Sequence, residues 1–429
     1  MNDEFSIEFE PIARDHGSEL ERATLAEIGI SIGARSITRL EDALTHTVRD
    51  RARLSIVKLA AWFAENWWRL RWEPEADRPG TSWLQSHTLA AAGGGYLWPN
   101  VTFASDGNFV RVRALPTPEC ANQHIRYLSL LDEMIPAESF ESAVDTFVEG
   151  ALARIADSGV DAGALGTLWS ELRTERGDPE AGDLRRIEAL LGFDPDEAPE
   201  GLLAFLRQTE VAFGAASTAE VAAFSRHERV LKDIEALEAC RAGEGSSVVT
   251  MPPLPLDGRP EEAPALPWER GERLARAVRR AWSLGDAPLS NARLFDLLGS
   301  KDILKWREAP FGAGFRIAER PGSFAVNCHA RYESGRRFEL ARLIGDQITA
   351  SPDDHLLPAT GAKTARQKFQ RSFATEFLCP YDQLQGEIGD RGPSDDDIER
   401  LAERYEVSSL LVRTSFVNKG DLPRDALVA

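Results

Sequence analysis

Phe338-Glu339-Leu340-Ala341-Arg342-Leu343-Ile344-Gly345-Asp346 is the stretch on which the reading of this 429-residue sequence turns. Read as a helix, it sets Arg342 and Asp346 one turn apart, the i, i+4 spacing of an ion pair. A second reading gives Arg342 to an anion. Upstream of it, a helix with Leu274, Val278 and Trp282 leads through Gly285-Asp286-Ala287-Pro288 to a short helix ending Leu297-Leu298-Gly299. Strands are expected around Gly312-Ala313-Gly314-Phe315 and Phe324-Ala325-Val326-Asn327. Downstream come Phe373-Ala374-Thr375-Glu376-Phe377-Leu378-Cys379-Pro380 and Leu401-Ala402-Glu403-Arg404-Tyr405-Glu406-Val407-Ser408.

This order of helix, helix, β-hairpin and helix resembles the ImmA/IrrE family of zinc metallopeptidase-like domains, from Trp268 to about Leu422. The resemblance implies a zincin-like domain, in which His-Glu-x-x-His puts two imidazoles on one helix face and a general base between them. A glutamate from the next helix completes such a site. Here Phe338, Leu340, Ala341 and Gly345 keep the framework, but Arg342 stands for the first histidine, Leu343 for the general base and Asp346 for the second histidine. Phe369 takes the place of the glutamate. A guanidinium does not ligate zinc and a leucine moves no proton. Arg342, Leu343, Asp346 and Phe369 are therefore expected to be a vestigial metal site, with no catalytic residue, no metal and no cofactor. His329, His355, Asp353, Asp354 and Cys328 do not rebuild the ligand spacing.

The resemblance implies a bacterial pseudo-metallopeptidase: a regulatory or scaffold protein in a toxin-antitoxin, mobile-element, stress or phage-defence setting, acting on a protein partner encoded nearby. Two alternatives stay open. One is a nucleic-acid-associated subunit of a larger complex, with Arg273, Arg276 and Arg280 on one amphipathic helix, or Arg336 and Arg337, as contacts. The other is a hydrolase with a remodelled site. The segment Asp397 to Gly420 reads as helix-turn-helix-like, but its acidic balance favours packing over DNA reading.

Outside this block, Arg241 to Pro267 holds six prolines and no helical or strand period, so residues 241–267 read as a linker. Residues 1–130 read as a mixed α/β, Trp-rich domain, with a strand around Gly33, a helix over Ile56 to Leu70, and a hairpin turning at Asp106-Gly107-Asn108. Six tryptophans from Trp62 to Trp98 read as helix-on-sheet core rather than a stacking platform. His87 and Gly93-Gly94-Gly95 read as a tight loop before a strand. Residues 131–240 read as a helical domain whose carboxylates face solvent, and residues 268–429 as the degenerate peptidase-like domain. The fold class expected is multidomain α+β.

Composition narrows the function classes. Fifty Lys and Arg against 69 Asp and Glu give a net charge of -19, which opposes general wrapping of nucleic acid. Trp268 to Pro380 alone holds 19 basic against 13 acidic residues. No apolar run is long enough to span a bilayer, and four scattered cysteines suit a reducing compartment, so a cytoplasmic protein without membrane contact is expected. No nucleophile-elbow or Walker-type motif is present.

Overall fold

A computed structural model of the chain describes residues 4–13, 18–120, 123–243, 246–254, 265–389 and 391–427. These form two units, Met1–Leu203 and Ala204–Ala429. The first runs β1 (Phe5–Pro11), α1 (Glu19–Thr24), β2 (Leu25–Ile32), β3 (Arg35–Ser36), β4 (Leu40–Asp42), β5 (Thr47–Arg49), β6 (Ala52–Ser55), α2 (Ile56–Trp72), α3 (Thr81–His87), β7 (Asn100–Ser105), β8 (Phe109–Leu115), β9 (Ile125–Tyr127), β10 (Leu131–Pro136), α4 (Ala137–Asp157), α5 (Ala164–Gly177) and α6 (Pro179–Leu191). The division falls inside α7 (Glu200–Phe213). The second unit runs α8 (Ala215–Ala242), β11 (Ser247–Thr250), α9 (Pro267–Ala281), α10 (Asn291–Leu298), β12 (Gly312–Arg316), β13 (Ser323–Asn327), α11 (Glu333–Thr349), β14 (Leu356–Ala359), α12 (Ala365–Leu378), α13 (Tyr381–Ile388), α14 (Asp395–Tyr405) and α15 (Ser409–Lys419). The fold is multidomain α+β with small antiparallel sheets.

In the first unit, alternation along β2 buries Ala26, Ile28, Ile30 and Ile32 on one face. β2 pairs antiparallel with β1 and β6, and its turn at Gly33 leads into β3. The strand expected to run through Gly33 therefore reverses there. The expected hairpin is β7–β8, with Asp106 Oδ1 accepting from the backbone N–H groups of Asn108 and Phe109. α2 begins at the Ser55 cap and buries Trp62, Trp67 and Trp68. Trp83 and Trp98 are also buried, while Trp72 is half-buried under the Arg71 guanidinium. Phe5, Phe63, Phe103 and Phe140 join this core with ring centroids 5.6–6.2 Å apart.

α5 and α6 pack on α2, and α4 packs on α2 and β1, so these helices belong with the sheets rather than with a separate bundle. This is why the division lies within α7 and not at the expected residues 130, 240 and 267. Trp68 Nε1 donates to Glu175 Oε2 across this contact at 3.1 Å. Of the expected linker, residues 244–245 and 255–264 lie outside the described residues. Ser247–Thr250 is a strand, not linker: paired with β13, it opens a sheet ordered β11-β13-β12-β14.

The second unit is organised by three close helices. α12 packs against α9 and α11, and a Cβ on Gly345 of α11 would lie 2.6 Å from the Phe373 ring. Only a hydrogen at this position lets the two helices approach so closely. We expect Gly345→Ala to cost about 1–3 kcal/mol by overpacking, read as a fall in the denaturant midpoint with unchanged slope. A change below about 0.5 kcal/mol would show that the α11–α12 contact yields freely. Among the described residues, no helix is long and apolar enough to cross a membrane.

Candidate functional site

Arg342, Leu343 and Asp346 lie on the buried face of α11, and Phe369 lies on α12. The expected Arg342–Asp346 pair is not formed. Both Asp346 oxygens instead accept from Arg366, on Nε and Nη2, at 2.8 Å each. The third guanidinium nitrogen donates to Asp354 Oδ2 and Ser217 Oγ, each at 3.2 Å. The locations explain the choice. Arg366 sits in the first turn of α12 and Asp346 in the last turn of α11, where each charge opposes its own helix dipole; joined, they offset both penalties. Burial works against the Arg366 charge, but Asp346, Glu220 and Asp354 outweigh it and hold its pKa above the usual range.

Arg342 is turned away toward β14. Its Nη2 donates to the Thr360 carbonyl at 2.6 Å and to Gln367 Oε1, and its Nε meets no acceptor. Gln367 also accepts from the Thr360 N–H at 2.9 Å and donates to the Pro358 carbonyl at 2.8 Å. Burial, reinforced by the neighbouring Arg371 charge, pulls the Arg342 guanidinium down to about 9 against Glu339, Asp346 and Glu220. Leu343 is fully buried in the apolar core, and Phe369 stacks on Phe373 at 6.4 Å between centroids.

α8 covers this cluster. Ser217 Oγ donates to the Leu356 carbonyl at 2.5 Å, and Glu220 Oε2 accepts from Thr364 Oγ1, the capping residue of α12, at 2.7 Å. Burial raises the Glu220 carboxyl above its ordinary range, against the Arg366 charge and the Thr364 and Gln367 hydrogen bonds. Gly214 precedes α8, with φ of 92° and so close to the 353–354 turn that a Cβ would lie 2.6 Å from Asp354 Oδ1. Past the covering segment α8 kinks at Arg226, whose φ of 51° and ψ of -175° are costly for a side-chain-bearing residue. Glu188, Glu220 and Asp233 are buried, which corrects the expectation that carboxylates of residues 131–240 face solvent.

Of the expected polyanion contacts, three are committed internally. Arg276 pairs with Glu376 at 2.6 Å. Arg336 donates to the carbonyls of Leu304, Ala330 and Arg331. Arg337 is fully buried, bonded to Asn291, the Leu289 carbonyl and Glu406, and burial lowers its pKa to about 10. Arg273 and Arg280 remain exposed on α9. In the helix-turn-helix-like segment, Arg400 and Arg404 pair with Glu387, and Arg413 with Asp395.

A second buried cluster lies in the first unit. Glu73 Oε2 accepts from Arg69 Nε at 2.7 Å and sits 3.1 Å from His87 Nε2, while His87 Nδ1 lies 2.8 Å from the Phe103 carbonyl. Trp83 stacks on the imidazole at 4.1 Å and 6°. His87, expected in a loop, is thus the last residue of α3 and part of the core.

Sequence reasoning missed Arg366, Ser217, Glu220 and Thr364, because the contacts that join them, from Arg366–Asp346 to Thr364–Glu220, link residues 20 to 149 apart in the chain and leave no local period. Among the described residues, no group of three or more His, Cys, Asp or Glu side chains is placed to hold a metal ion. The donors at the four expected positions do not fit zinc: one cation, two hydrocarbons, and a carboxylate whose oxygens are both taken. No protein-family model and no curated protein matches the chain.

Proposed function

We propose that the chain is a non-catalytic regulatory or scaffold protein that binds a macromolecular partner through a degenerate ImmA/IrrE-like domain, residues 268–429. The observation that carries this reading is the engagement of Asp346 by Arg366 and the burial of Arg342 beneath β14, all under α8. A site whose carboxylate is already held by a guanidinium, and whose first-histidine and general-base positions carry Arg342 and Leu343, serves as packing, and such a domain works by what it holds. Net charge favours a protein partner over nucleic acid for the chain as a whole. A cytoplasmic setting in bacterial toxin-antitoxin, mobile-element or phage-defence systems goes with this reading.

Metal content tests it directly. Protein purified without chelator or metal-affinity resin is expected to carry under about a tenth of an equivalent of zinc by elemental mass spectrometry, and to leave denatured casein uncut. About one zinc per chain, or cleavage blocked by a chelator, would overturn the proposal. Sedimentation with the products of adjoining reading frames is expected to give one stoichiometric complex, and a chain that sediments alone with all of them counts against the partner-binding role.

A further inference from the structure

We propose that Trp306 and Tyr332, with Lys305, Arg307 and Arg331, form a platform for single-stranded nucleic acid, a site separate from the covered cluster. Trp306 is 56% exposed and Tyr332 69%, whereas every other described aromatic side chain is buried or half-buried. Both stand on loops that the backbone holds in place. Trp306 bridges to Cys328 in parallel, and the Arg307 N–H donates to the Cys328 carbonyl at 2.7 Å. The Arg336 guanidinium then ties Leu304 to Ala330 and Arg331 through their carbonyls. The two loops that carry the exposed rings are thus tied to each other, so their backbone needs little ordering on binding.

The cations lie on the same two loops. Lys305 has a 61% exposed side chain, and its partner Asp302 is 66% exposed, so that pair exchanges readily with solvent or ligand. Arg331 is exposed beside the Tyr332 ring, 5.5 Å from its centroid. Glu308 and Glu333 are the nearby opposing charges, and Glu333 accepts from Asn291 Nδ2. The acidity of the chain resides mainly elsewhere. Residues 204–429 hold 31 basic against 34 acidic side chains, leaving 19 against 35 in residues 1–203.

Stacking rings among cations match unpaired bases with their phosphates, which offer π-faces that a duplex hides. A protein partner instead buries a contiguous apolar centre, and here each ring stands between charged residues.

The test is fluorescence anisotropy of end-labelled dT20 and U20 on the full chain at about 50 mM salt, with a 20-base-pair duplex and polyglutamate as competitors. Binding to either single strand is expected, with dT20 against U20 telling which sugar is preferred. The affinity should fall with salt with a logarithmic slope of about -2, as for three phosphate contacts. Trp306→Ala is expected to weaken binding about tenfold, and Lys305→Glu with Arg331→Glu more than tenfold. All three side chains are solvent-facing, so thermal melts should match wild type. No binding to dT20 or U20, an unchanged Trp306→Ala affinity, or displacement by duplex or polyglutamate as readily as by unlabelled dT20 would overturn the proposal.

Discussion

Arg366→Met lowers the stability of the C-terminal unit by about 3–5 kcal/mol, the expected cost of removing one partner from a buried ion pair. Asp346 is only 1% exposed and takes both of its strong hydrogen bonds from this guanidinium, so the variant leaves an uncompensated carboxylate in the core. Asp354 loses the same partner. At about 2–4 °C per kcal/mol for a unit of this size, calorimetry should show its transition fall by roughly 10 °C. The double variant Arg366→Met, Asp346→Leu is expected to recover at least half of the loss, because an apolar pair of similar volume removes the stranded charge. A single-variant loss below about 1 kcal/mol would mean that water reaches the cluster and that α8 does not seal it.

Glu73→Gln separates charge from shape in the other unit. Burial pushes the Glu73 carboxyl up, but the His87 hydrogen bond and the Arg69 charge outweigh it and hold the pKa at about 2, against 4.5 for the ordinary group. A carboxyl depressed on folding stabilises the fold above its unfolded pKa and loses that contribution as pH falls toward the folded one. The shift of about 2.5 corresponds to roughly 3 kcal/mol, present at neutral pH and lost between about pH 4.5 and 2. Wild type should therefore exceed Glu73→Gln by about 2–3 kcal/mol at pH 7, and the gap should close steadily below pH 4.5. Urea melts of both proteins at matched pH values, followed through the tryptophan emission of the Trp83 core, would measure it. A gap that stays constant down to pH 2 would show that geometry, not charge, makes Glu73 matter.

Local elements were legible because they rest on short-range physics. The α2 tryptophans, the β7–β8 turn at Asp106-Gly107-Asn108 and the helix at Phe338–Asp346 each announce themselves within one or two turns of chain. Strand β11 was hidden in a proline-rich stretch, since four residues become a strand only when β13 supplies the hydrogen bonds. The assignment of α4, α5 and α6 to the N-terminal unit was equally hidden, because a helix with one apolar face does not say which surface covers it.

The same divide runs through the candidate site. Sequence alone determined that Arg342, Leu343 and Phe369 supply no zinc ligand, because ligand capacity belongs to the side chain whatever surrounds it; the Asp346 carboxylate keeps that capacity on paper. Only the tertiary structure decided that Asp346 takes Arg366 instead of Arg342, that Glu220 and Ser217 close over them, and that Arg276, Arg336 and Arg337 are engaged by partners within the fold while Trp306 stays exposed. A buried charge must find a partner among whatever the fold brings within about 3 Å, and that neighbourhood is set by long-range packing and desolvation.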